Sequence, residues 1–129
     1  MFKIVSEPLI WWPVTFPGVG EDGDVVENRF EMRFRVMGED AHLDFLTRVN
    51  ARGAVVVGED AVTAPSAAAS EVVLEIARDW RGVGAENGEP LKFDAAHLRQ
   101  LLDVPNVFTA VLRAYAACRA GRAEARAGN

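Results

Sequence analysis

An alternation of apolar and charged residues near the start of the chain constrains its fold more than any other feature. One parity of VVENRFEMRFRV (residues 25–36) is apolar except for Asn28, with Val26, Phe30, Met32, Phe34 and Val36. The other parity is charged, with Glu27, Arg29, Glu31, Arg33 and Arg35. Successive side chains of a strand point to opposite faces, so this segment predicts an antiparallel strand with one dry and one wet face.

A partner strand precedes this segment. The sequence LIWWPVTF (residues 9–16) is β-branched and aromatic and is bounded by prolines, which is typical of a strand. Pro13 cannot donate a ladder hydrogen bond, so this strand is predicted to lie at an edge or to contain a bulge. With the loop PGVGEDGD between them, the two strands predict an antiparallel β-hairpin over residues 1–37. Such a hairpin is marginal alone and must pack on helices or on a second subunit.

Residues 40–52 predict the first helix. Asp40 is a suitable N-cap, and Leu43, Leu46 and Val49 recur at helical spacing. Residues 54–70 are rich in small side chains and predict a flexible middle with a short strand at its start.

Residues 71–120 predict a helical part. The second helix is predicted to begin near Ser66 or Ser70 and to run through SEVVLEIARDW. One helical face of it carries Val73, Ile76, Ala77 and Trp80. A short helix capped by Asp94 and a longer terminal helix follow. Residues 121–129 lack apolar periodicity and predict a disordered tail. The chain is therefore predicted to be one α+β domain over residues 1–120, with the hairpin, or a small sheet, packed on about four α-helices.

Composition excludes several classes of partner. The chain has 129 residues and a net charge of −5, which argues against nucleic acid because phosphate binding requires a basic surface. A single cysteine, Cys118, allows no internal disulfide and fits a reducing cytoplasm. The apolar runs are far shorter than the roughly 20 residues that span a bilayer, and no signal-peptide pattern is present. We therefore expect an intracellular protein with no membrane or nucleic-acid partner.

Catalytic and metal-binding patterns are weak. His42, His97 and Cys118 lack the paired spacing of a zinc site, and neither GEDGDVVE nor AENGEPLKFD meets the requirements of an EF-hand loop. A Cys118–His97 pair would place its nucleophile near the end of a helix, with no pocket implied. The sequence thus predicts no catalytic residue, no metal and no cofactor, and favours a binding or assembly protein.

The adjacent tryptophans must face opposite sides of their strand. Trp12 shares its parity with Val14 and Phe16, and we expect it inside. Trp11 shares its parity with Pro13 and Thr15, and we expect it to contact a partner or a second subunit, since interface hot spots are rich in tryptophan. Residues 50–65 could instead cover Trp11 within the monomer.

The wet face of the second strand offers two interpretations. Its arginines could belong to an ordinary solvated sheet face, or they could form a specificity surface for another protein. The open edge of the hairpin would also permit strand addition by a partner. The candidate partner-binding residues are Trp11, Pro13, Thr15, Arg29, Arg33 and Arg35.

Two blocks of the sequence resemble the phage tail assembly chaperones of long, non-contractile tails. The first is PLIWWPVTFP followed by ENRFEMRFRVM. The second runs from ARDWRGVGAENGEPLKFD to the terminal helix, and its matching positions are Asp79, Trp80, Gly82, Val83, Gly88, Pro90, Leu91, Phe93, Leu101, Leu102, Pro105, Val107, Ala114 and Tyr115. Together the blocks cover about two-thirds of the chain, in the order found in that family.

The resemblance implies a non-enzymatic protein of phages or prophages, made in the host cytoplasm and absent from the mature virion. Such a chaperone binds the tape measure protein, helps recruit tail tube protein and needs no cofactor. Coverage of a long client also favours self-association. Many members are made in two lengths by a translational frameshift, and this chain would match the short form. The alternative is a structural tail completion, connector or terminator protein that is retained in the virion.

Overall fold

A computed structural model describes residues 1–51, 55–56 and 62–121 of the chain. Their elements, in chain order, are β1 (Leu9–Val19), β2 (Val25–Arg35), α1 (Glu39–Ala51), β3 (Val55–Val56), β4 (Val62–Thr63), α2 (Ser66–Ile76), β5 (Ala77–Arg81), α3 (Ala95–Leu102) and α4 (Val107–Ala120). The fold is α+β, as predicted. The N-terminal antiparallel hairpin belongs to a three-stranded sheet of order β1-β2-β5, packed against four helices.

The hairpin pairs over the full length of both strands. Its register runs from Leu9 opposite Arg35 to Val19 opposite Val25. β1 is longer than the predicted strand because residues 17–19 continue the ladder instead of forming the loop. The tight turn lies beyond them, where Gly23 has a φ of 86°, a value that glycine adopts without strain.

The third strand corrects the predicted course of the second helix. That helix was expected to continue through Trp80, but α2 ends at Ile76, and Ala77 is already extended, with φ −128° and ψ 148°. β5 then pairs with the free side of β2, placing Trp80 opposite Met32. Trp80 is buried as predicted, although it reaches the core from a strand.

The side of α1 that faces the core also differs from the prediction. Leu43 and Leu46 are exposed, whereas Phe45 is buried and Val49 packs against the core. Within α1, the inner stripe thus consists of His42, Phe45 and Val49, which recur at three and four residues. Leu43 and Leu46 share a helical spacing too, so periodicity alone could not select the buried face.

The middle of the chain is partly helical. α2 begins at Ser66, one of the two predicted starts, so residues 66–70 are helical and not part of the flexible middle. Residues 55–56 and 62–63 pair as two short antiparallel strands. The remaining residues of the predicted flexible middle lie largely outside the described residues, as does the predicted disordered tail after residue 121.

The turn between β5 and α3 contains a left-handed glycine, leads into a side-chain cap, and packs against Trp80. Gly88 has a φ of 86°, and the Asp94 side chain accepts a hydrogen bond from the His97 backbone N–H at 2.8 Å, which confirms the predicted cap. The Trp80 indole donates to the Leu91 carbonyl at 2.8 Å and meets the Phe93 ring edge-on at 5.1 Å.

The core lies between one face of the sheet and the helices. The largest side chains that are fully buried in it are Phe34, Phe45, Met32, Ile76 and Leu98. α4 packs along β1, and α2 packs against α3. This arrangement leaves the opposite face of the sheet without a helix from the described part of the chain.

Candidate partner-binding surface

The strand register places charged and aromatic residues in two rows across the sheet. Trp11 lies opposite Arg33, which lies opposite Asp79. In the next row, Pro13 lies opposite Glu31, which lies opposite Arg81. Directly opposed residues of an antiparallel pair share a face, so all six lie on the side away from the core. With Thr15 and Arg29, which pair with each other beyond the second row, they form what we call the outer face.

Trp11 is the aromatic centre of the outer face. The Arg81 Cζ atom lies 4.2 Å from the centroid of its ring, and the Arg33 Cζ atom lies 5.9 Å from it. Glu31 holds the Arg81 guanidinium in this position, since Arg81 Nε donates to its carboxylate at 3.1 Å. Cation–π contact at such a site contributes on the order of 0.5–1 kcal/mol. Trp11 is thus half-buried beneath charged side chains and is not part of the core.

Arg33 adds an unusual polar atom to this surface. Its Nε atom is buried and has no hydrogen-bond partner in the described part of the chain. A buried donor without a partner costs free energy, which an acceptor from another molecule would recover.

Arg35 is set apart from the other predicted binding residues. Its Nε and Nη2 atoms donate to the Glu75 carbonyl at 3.1 and 2.9 Å, and its Nη1 atom pairs with Glu7 at 2.8 Å. The Glu75 carbonyl belongs to the last turn of α2, where backbone acceptors lack helical partners. Arg35 therefore joins β2 to the end of α2, and a register irregularity after Arg33 accompanies this change of role.

The open edge of β1 adjoins the outer face. Val36 N–H donates to Pro8 C=O at 3.0 Å, and Gly20 N–H donates to Asp24 C=O at 2.8 Å. These bonds set the phase of the ladder: even-numbered residues of β1 direct their backbone groups to β2, and odd-numbered residues direct theirs outward. Pro13 and Pro17 both occupy outward positions, where a missing N–H removes no ladder bond, as expected on an edge.

The two edges of the sheet differ in which outward backbone groups already have a hydrogen-bond partner. On β5, the outward Trp80 N–H is already taken by the Asp79 carboxylate at 2.8 Å. On β1, the Asn106 side chain donates to the Pro17 carbonyl at 3.1 Å, which occupies one outward acceptor near the hairpin end. The outward groups of Leu9, Trp11 and Thr15 belong to the stretch that a partner strand could reach.

The structure places five of the six residues predicted to bind a partner on one face: Trp11, Pro13, Thr15, Arg29 and Arg33. Pro13 differs from the prediction because it is buried within the monomer. Sequence reasoning missed Asp79 and Arg81 because their segment was interpreted as a helix. Their polar side chains flank Trp80 at a spacing of two, which is the strand signal that could have identified them. The alternative cover for Trp11, residues 50–65, lies mostly outside the described residues.

Elsewhere in the described part of the chain, titratable groups do not form a reactive cluster. Burial raises the pKa of the Cys118 thiol, which is the opposite of the shift that activates a nucleophilic cysteine. Among the described residues, no three His, Cys, Asp or Glu side chains converge to hold a metal ion. Within the same residues, every helix is too short or too polar to cross a bilayer.

Comparison of the chain with protein-family models, with curated protein sequences and with solved structures finds no match.

Proposed function

We propose that this protein is a non-enzymatic phage tail assembly chaperone that binds the tape measure protein and helps recruit tail tube subunits. The observation that carries the proposal is Trp11, held under Arg33 and Arg81 on a sheet face that the described helices leave uncovered. A preorganised aromatic flanked by arginines has the composition of an interface hot spot. The resemblance in the two sequence blocks supplies the class of client.

The outer face suits an amphipathic segment of such a client. Trp11 provides apolar area, with the buried Pro13 beneath it, and Arg29, Arg33 and Arg81 surround it with positive charge. Glu31 pairs with Arg81 and fixes the position of its guanidinium, while Asp79 lies opposite Arg33 at the edge of the sheet. A helix with an apolar stripe bordered by carboxylates would complement this surface.

In this proposal the protein acts in the host cytoplasm during virion production and leaves before the particle matures. Copies of the chain associate along the client, so one long client takes several chaperones. Substrate turnover and cofactors have no part in this activity.

Binding to the tape measure protein tests the proposal. We expect Trp11→Ala to weaken that binding by about thirtyfold, since hot-spot truncation costs about 2 kcal/mol or more. Leu43→Ala is the control, because Leu43 is an exposed apolar residue that lies on α1, away from the outer face. Isothermal titration calorimetry with purified partners measures both variants.

Two results would reject the proposal: no binding by the unmodified chain, or equal affinities for the chain and its Trp11→Ala variant. The structural alternative, a tail completion, connector or terminator protein, has one observation in its favour, the exposed apolar residues at the hairpin end, Val19, Val25 and Val26. Mass spectrometry of purified virions separates the two roles, because a chaperone should be absent from them.

A further inference from the structure

The residues that precede β1 form an exposed apolar arm, defined here as residues 1–6. Four of its six side chains are large and apolar, and Phe2 and Ile4 are 89% and 93% exposed. Its base is fixed, because Glu7 has a φ of 55° and pairs with Arg35, and Pro8 joins the β-ladder. The arm therefore leaves the sheet at a defined point without entering the core.

An apolar notch lies at the opposite end of β1, between the hairpin and the turn that joins α3 to α4. It has a volume of about 470 Å³, and its mostly apolar lining includes Phe16, Pro17, Val19, Val26, Val104 and Pro105 together with the polar Asn28 and Asn106. Val19 is 73% exposed, and Val26 and Val104 are exposed as well. An apolar cavity of about 150 Å³ accepts a benzene ring, so the notch has room for a phenyl and an aliphatic side chain.

The charges of the arm and of the notch are complementary. Lys3 is the only charged side chain of the arm. The hairpin beside the notch exposes four carboxylates, those of Glu21, Asp22, Asp24 and Glu27. Apolar contact with charge pairing at the rim is the usual anatomy of a protein interface.

The arm cannot reach the notch of its own molecule. From Pro8 to Pro17 the chain spans roughly 30 Å along the strand, at about 3.3 Å per residue. Extended backward from Pro8, the chain reaches Ile4 within about 14 Å and Phe2 within about 22 Å. Contact between the two surfaces must therefore join different copies of the chain.

We propose that the arm of one copy docks into the notch of a second copy, with Phe2 and Ile4 in the notch and Lys3 at its acidic rim. The two surfaces are different patches at opposite ends of β1, so the contact is head-to-tail and can be repeated from copy to copy. This inference concerns contact between copies, and it stands whether or not the protein chaperones tail assembly.

Sedimentation velocity of the purified full chain, without any client, tests this association. The unmodified chain should show a mass that rises with concentration. The arm variant Phe2→Ser/Ile4→Ser and the notch variant Val19→Asp/Val104→Asp should each weaken association by about a hundredfold or more. Leu43→Ser, an exposed apolar position outside both surfaces, should leave association unchanged.

Mixing the two variants tests the head-to-tail geometry. An equal mixture retains one intact arm and one intact notch per pair, so it should form dimers and nothing larger. The arm variant added to the unmodified chain should shorten its assemblies by occupying their free arms, and this test does not depend on the folding of the notch variant. A monomeric unmodified chain, association that survives either pair of substitutions, or a mixture that stays monomeric would overturn the inference.

Discussion

Neighbouring residues in this chain have separate roles because the strand turns them to opposite faces. Trp12 is buried against the helices, and its indole nitrogen has no hydrogen-bond partner among the described residues. Trp11 points to the other face of the sheet, where it lies against the Arg81 guanidinium. The parity of two adjacent positions thus assigns one tryptophan to stability and makes the other available for recognition.

The pKa of His42 is lowered by its surroundings in the folded protein. It stacks on Phe45 at 6.2 Å between ring centroids and lies 5.9 Å from the Tyr115 ring. Burial lowers the pKa of His42, and the nearby Arg119 charge lowers it further, while Glu39 partly opposes the shift. The neutral imidazole is therefore the form that fits the folded protein.

This shift predicts a pH dependence of stability that depends on His42. The unfolded chain takes up the proton near pH 6.5, before the folded chain does. Stability from the neutral imidazole is therefore fully present above that pH and is lost as the pH falls below it. Urea denaturation from about pH 7.5 to about pH 5.5, one unit either side of the ordinary histidine pKa, should show the unmodified chain losing stability relative to His42→Leu. Parallel stability curves for the two proteins would contradict the prediction.

At the scale of elements, the hairpin could be predicted from the sequence and β5 could not. The parity of residues 25–36 is a local property, so it survives without knowledge of the rest of the fold. The segment from Val73 to Trp80 satisfies helical periodicity and also buries Trp80 as a strand. The deciding contacts are distant: Arg35 binds the Glu75 carbonyl 40 residues away, and β2 offers its free side to β5.

The same limit applies to the candidate surface. Parity alone placed Trp11, Pro13, Thr15, Arg29 and Arg33 on one face. Asp79 and Arg81 join them only through the third strand, and no local pattern shows which strand lies beside β2. Parity also placed Arg35 among them, whereas a register irregularity and a contact with α2 engage its guanidinium elsewhere.

Trp80 ties β5 to the turn that follows, and two matched substitutions measure this link. Trp80→Phe removes the 2.8 Å hydrogen bond to Leu91, whereas Trp12→Phe removes an indole nitrogen with no partner in the described part of the chain. Both rings are buried to a similar degree. We expect Trp80→Phe to cost about 1–3 kcal/mol more in the free energy of unfolding. Equal losses in urea denaturation would show that the bond contributes nothing.

The whole molecule is a sheet with one face packed on helices, one face bearing Trp11, and two unlike edges. On β5, the outward Trp80 N–H donates to the Asp79 carboxylate. On β1, Pro13 and Pro17 lower the number of outward donors, and the Asn106 side chain takes the Pro17 carbonyl. The side chains that could recognise a partner and the backbone groups that could pair with one are therefore adjacent along β1.

Hydrogen exchange followed by NMR should reveal this architecture directly. The amides of Ile10, Trp12 and Val14 point to β2 and should exchange slowly, whereas those of Leu9, Trp11 and Thr15 point outward and should exchange at least about tenfold faster. A client that adds a strand would slow the Trp11 and Thr15 amides. Uniform protection along β1 of the free protein would contradict the assigned ladder phase.

The open edge of β1 also limits how many copies of the chain can pair through the sheet. Pairing of β1 with the β1 strand of a second copy uses the open edge of both molecules, so it ends at two copies placed edge to edge. An arm and a notch at opposite ends of the same strand carry no such limit, since each added copy brings a new free arm and a new free notch. Assembly through the β1 edge therefore stops at a dimer. Assembly through the arm and the notch stops only when the copies close into a ring, or when a molecule that lacks a functional arm or notch is added.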